Sequence, residues 1–101
     1  MNINLGKSQK ITVGNYSSIN PSVNITIDNI KLEDIEQVTE SIRLIEDSLI
    51  ALQIKDDVDL MGNMVNLNSS VIEFVELIST SHKEIYDVIE TEKKKLMELG
   101  Y

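Results

Sequence analysis

Between Leu32 and Ile54 the chain reads LEDIEQVTESIRLIEDSLIALQI, with apolar residues at Ile35, Val38, Ile42, Ile45, Leu49 and Leu52. The intervals alternate three and four residues, so on a helix these side chains form one stripe of the kind that packs against another helix. The sequence offers such a partner. Val71, Val75, Ile78, His82, Ile85, Ile89, Glu92, Leu96 and Leu99 repeat the alternation, interrupted only near the end by Glu92. Two stripes of matching period predict a helical hairpin. Leu44 and Ile50 lie off the first stripe, and Phe74, Leu77 and Val88 widen the second. These helices therefore need cover on more than one side, from a sheet or from a second copy of the chain.

Toward the N-terminus the period changes to two. Ile3 and Leu5, then Ile11 and Val13, then Val23, Ile25 and Ile27 alternate with polar residues. Three short strands are the natural reading, with Gly6-Lys7-Ser8 as the first break and Gly14 to Pro21 as a longer connection. The predicted fold is α+β: a three-stranded antiparallel meander over residues 1–29, packed on a two-helix hairpin. Its apolar face meets the helices, and Lys10, Thr12, Asn24, Thr26 and Asp28 line the open face. The first helix is expected over 30–55, starting after Asp28 or Asn29, and the second over 70–99. Ser70 and Glu73 form a capping-box pattern at the second start, and Gly100 marks its end. The connection over 56–69 keeps Val58, Leu60, Met61, Met64, Val65 and Leu67, which argue for a packed segment with a bend at Gly62-Asn63.

A chain of 101 residues supports a single domain. Aromatic residues make up only 4%, so the core must be built from Ile, Leu and Val. The absence of cysteine excludes disulfides, thiolate metal sites and a cysteine nucleophile. With no apolar run near the ~18 residues of a membrane span, a soluble cytoplasmic protein is expected. Charge is unevenly placed. Residues 1–31 hold Lys7, Lys10 and Lys31 against Asp28, a balance of +2, so the net charge of −8 leaves −10 on the helical part. Such a surface repels nucleic acid and membrane phosphates, and it suits a basic protein groove. Glu36, Glu40 and Asp47, away from the apolar stripe, are the expected partner-binding residues. Leu44, Ile50, Phe74, Leu77 and Val88 are the expected homo-oligomer interface.

Catalytic and cofactor chemistry finds little support. His82 is the single histidine, sits at a stripe position, and is expected as a neutral imidazole in a helix contact. A Ser-His-Asp set could draw only on Ser79 or Ser81 and Asp87 of the same helix, without a Gly-rich elbow. The residue three before His82 is Ser79, where a helical carboxylate metal site needs Glu. Asp57, Asp59 and Gly62 suggest a calcium loop, but Met61 and Asn68 occupy two of its ligand positions. No cofactor or metal is expected. A second function class remains: Lys7, Lys10 and Tyr16 could form a small single-strand nucleic-acid platform, with the ring stacking a base.

From Gly6 to Asp28 the chain reads GKSQKITVGNYSSINPSVNITID. This stretch resembles the opening of small proteins of unassigned function from phages and mobile elements, where a Gly-Asn-aromatic turn precedes a strand and an acidic helix. Gly14-Asn15-Tyr16 carries the resemblance. It implies no active-site residue but a setting: small acidic phage proteins that bind and block a host nucleic-acid-binding or CRISPR-type defence protein. The expected function is thus a non-enzymatic protein-interaction module.

Overall fold

In the computed structural model, which describes residues 1–62 and 66–101, four strands precede three helices. The strands are β1 (Ile3–Ser8), β2 (Ile11–Gly14), β3 (Ser17–Ile19) and β4 (Ser22–Ile27). β1 pairs antiparallel with β4 from Ile3↔Ile27 to Ser8↔Ser22, and β2 pairs with β3 from Ile11↔Ile19. Three residues forward on one side match three residues back on the other, so both pairs share one register. The fold is α+β as predicted, but its strands form one long ribbon interrupted once rather than a three-stranded meander. Gly6-Lys7-Ser8 is strand, not turn: Gly6 faces Asn24 and Ser8 faces Ser22. The reason lies in the odd-numbered positions. Ile3, Leu5, Ile11, Val13, Ile19, Val23, Ile25 and Ile27 all fall on one face of a single hairpin, leaving Asn4, Thr12, Asn24 and Thr26 on the other.

The interruption also has a local cause. Gln9 donates its backbone N–H to the Pro21 carbonyl at 3.1 Å. The return bond of that pair cannot form, because proline has no N–H. At the ribbon tip the register slips by one at Gly14↔Ser17, and Tyr16 adopts a left-handed φ of 63°. The tip is tied down by Asn68, whose backbone N–H reaches the Val13 carbonyl at 2.8 Å and whose Nδ2 reaches the Thr12 carbonyl at 3.2 Å.

After a 3₁₀ turn at Leu32–Asp34, α1 runs Ile35–Met61, six residues beyond the expected end. Asp28 and Asn29 do not cap it; Asn29 instead turns the chain with a φ of 59°. Gly62 closes α1 with a φ of 56°, while the rest of the predicted bend, Asn63, and the packing of Met64 and Val65 lie outside the described residues. The expected second helix is two: α2 (Ser69–Thr80) and α3 (His82–Glu98). Ser79 Oγ donates to the Val75 carbonyl and Thr80 Oγ1 to the Leu77 carbonyl, the side-chain competition that bends helices. The Ser70–Glu73 capping box does not form either, because α2 starts one residue earlier behind Asn68. At the far end Tyr101 donates its N–H to the Leu96 carbonyl across Gly100, whose φ is 100°. This is a Schellman termination.

Two buried rows on α1 organise the packing. Ser41, Ile45 and Leu52 face α2 and α3, with Ile78, Ile89 and Leu96 opposite. The other row, Val38, Ile42, Glu46, Ile50, Ile54 and Val58, steps by four and is buried throughout. It starts among Ile3, Leu5, Ile25 and Ile27 and ends among Val13, Ile19 and Val71, so it lies along the ribbon. α1 is thus sandwiched between ribbon and helices, as its two-sided apolar pattern predicted. Ile50 was expected at an oligomer interface; at 4% exposure it belongs instead to the ribbon-facing core. Among the described residues no helix is long and apolar enough to cross a membrane.

Candidate functional site

The acidic residues singled out from the sequence do share the outer face of α1. Glu36, Glu40 and Asp47 are all exposed, and Glu36 and Glu40 line a shallow groove with Ile35, Gln37, Thr39 and Arg43. They differ in what they already bind. Asp47 is paired with Lys7 of β1, whereas Glu36 and Glu40 make no ion pair among the described residues. Asp47 therefore ties the ribbon to α1, and the available acidic surface centres on Glu36 and Glu40.

Of the expected interface residues, Leu77 is 59% exposed and Leu44, Phe74 and Val88 are each a little over a third exposed. Ser41 lies opposite Glu92, an antiparallel register that sets Leu44 roughly level with Val88. Phe74 also borders an apolar cleft with Ile11, Ile54 and Val71, between α2 and the ribbon.

Lys7, Lys10 and Tyr16 are not brought together. Lys7 has an odd number and reaches down to Asp47, while Lys10 stands on the open face. Tyr16 is fully exposed at the ribbon tip, nine residues beyond Lys7 or ~30 Å of strand. His82 is not in a helix contact. It opens α3 exposed, its ring edge-on to Tyr86 at 4.7 Å between centroids. At the break between α2 and α3 Ile78, Ile85 and Ile89 keep the inward face, and Ser81 takes the half-buried place between them while His82 turns out.

Two buried carboxylates escaped the sequence reading as a pair of opposites. Glu92 accepts from Ser41 Oγ at 2.7 Å and from Lys95 Nζ at 3.0 Å. Burial opposes its charge, but these two donors outweigh burial and hold the carboxyl below the ordinary glutamate range. Glu46 is 3% exposed, and its Oε2 has no hydrogen-bond partner among the described residues. Burial first, and the neighbouring Asp47 charge second, push its carboxyl upward against Lys7 and Arg43. Glu92 is legible in sequence as the break in its stripe. Glu46 is legible only once the step of four from Ile42 to Ile50 is recognised as a second row.

Among the described residues no group of three or more His, Asp or Glu side chains is placed to hold a metal ion. Comparison with protein-family models, with curated proteins and with solved structures finds no match.

Proposed function

We propose that the chain is a non-enzymatic protein-interaction module whose helical side receives a basic partner. The observation that supports this reading is the exposure of Leu44, Phe74, Leu77 and Val88 on a body that presents the unpaired carboxylates of Glu36 and Glu40. Large apolar side chains left open beside a polar rim mark interaction surfaces, and a −10 helical region steers basic partners toward them. In the setting that the Gly14-Asn15-Tyr16 resemblance implies, the partner is a host nucleic-acid-binding or defence protein, blocked by occupation of its basic groove.

The test is affinity capture from host lysate with the wild-type chain and with a Glu36→Lys/Glu40→Lys variant. Asp47 is left intact, because its reversal would also release Lys7 and the ribbon. The variant is expected to keep its helicity by circular dichroism and to lose the captured protein. Equal capture by both chains would remove this face from the reading. Tight binding of single-stranded nucleic acid that weakens steeply with salt would replace it with the second class, the one read from Lys7, Lys10 and Tyr16.

A further inference from the structure

Glu46 occupies the one polar position in the ribbon-facing row of α1, and it falls at a seam. Ile42 belongs to the core under most of β1 and β4, and Ile50 to the core under β2 and β3, which Val23 at the near end of β4 also joins. A cleft of about 350 Å³, lined by Leu5, Gly6, Lys7, Arg43, Glu46 and Asp47, opens there between β1 and α1. At its rim Lys7 of β1 clasps Asp47 of α1. Just beyond Ser8 the ribbon is weakened, because Gln9 and Pro21 share one hydrogen bond where an ordinary pair has two. Apart from Val23, which packs into the core of the far half, each half of the ribbon thus has its own core, with a joint between them and a carboxyl beside the joint whose Oε2 has no partner among the described residues.

We propose that Glu46 makes the seating of the β1–β4 half on α1 proton-dependent, this half opening about the Gln9–Pro21 joint when the carboxyl is ionised while the β2–β3 half stays docked. A neutral carboxylic acid is buried at modest cost, whereas a carboxylate without donors is not. The charged groups facing Glu46 are few. Lys7 comes from β1 but is engaged by Asp47; Arg43 and Asp47 come from α1; β4 presents no ionisable side chain between Ser22 and Ile27. Asp47 repels the charge of Glu46, and neither cation bonds its free oxygen. The sign follows from the raised native carboxyl: the folded chain holds the proton to higher pH than the unfolded chain. Seating is complete below the unfolded value near 4.5 and weakens as pH rises through the native one.

Hydrogen exchange on the whole chain, at about pH 5 and about pH 7.5 and corrected for intrinsic rates, tests this. The β1 and β4 amides of the wild type are expected to open several-fold more often at the higher pH, with β2 and β3 unchanged. Glu46→Gln, which keeps the shape of the neutral acid, should hold β1 and β4 closed at both values. Lys7→Gln, which removes the clasp, should open them at both. Equal protection of wild-type β1 and β4 at the two values would overturn the proposal. So would a pH response that persists in Glu46→Gln, or one shared equally by β2 and β3. The wild-type comparison alone decides if a variant does not fold.

Discussion

At the scale of the residue, Ser41 and Glu92 show how a charge survives between helices. The hydroxyl supplies one donor from α1 and Lys95 a second from the next turn of α3, so both carboxylate oxygens are satisfied. Ser41→Ala leaves Glu92 with a single donor in a buried site, and the expected loss is about 1–3 kcal/mol, read by urea unfolding near neutral pH. The pH course carries a signature. Glu92 titrates below its unfolded value, so its contribution is present above about 4.5 and is lost as pH falls through the lowered native value. Ser41→Ala should flatten that acid limb; an unchanged limb would mean that Lys95 alone keeps Glu92 charged. Glu92 could be singled out from the sequence because it broke an otherwise regular stripe. Its partner could not, since Ser41 reads as one more neutral helix residue until α3 is laid against α1.

At the scale of the element, the ribbon and the broken second helix show what periodicity conveys and what it omits. The alternation from Ile3 to Ile27 correctly marked which side chains face inward, and the exposed row from Lys10 to Asp28 followed from it. It could not give strand number, because Gly6-Lys7-Ser8 satisfies both a turn and a continued strand, and only pairing with Ser22 to Asn24 decides between them. Likewise, Ser79, Thr80 and Ser81 preserve the helical spacing of their neighbours, while the hydroxyls of Ser79 and Thr80 compete for the backbone carbonyls of the preceding turn. The ribbon tip makes a further prediction. Tyr16 holds a left-handed φ of 63° with its ring fully exposed, so nothing in the fold offsets the strain of a bulky side chain there. Tyr16→Gly is expected to raise stability by roughly 1 kcal/mol, visible as a higher melting temperature. A lower melting temperature would show that the ring packs on the ribbon in solution. Capture experiments with the same variant test whether the exposed ring contacts a partner.

At the scale of the whole molecule, lengths decide which surfaces remain open. α1 has 27 residues and is ~40 Å long, and the ribbon side from Ile3 to Gly14 spans a similar distance. Separate short strands would have left half of α1 bare, whereas the continuous ribbon follows it from Val38 to Val58 and takes Ile50 into the core. It does not cover Leu44, Phe74, Leu77 and Val88, which stay exposed on a body 48 × 25 × 17 Å in extent. At roughly 25 cal/mol for each Å² of apolar surface removed from water, pairing two such faces would be favourable before the cost of association is set against it. Light scattering across a concentration series is therefore expected to show a mass rising from 11.4 kDa toward twice that value. Leu77→Glu combined with Val88→Glu should hold the mass at the monomer value without loss of helicity, since neither side chain belongs to a core. A wild-type mass that stays at 11.4 kDa to high micromolar concentration would rule out self-pairing. The same double variant then discriminates what remains: if it also abolishes capture of a host protein, the open leucine and valine side chains belong to that partner's interface and not to a second copy of the chain.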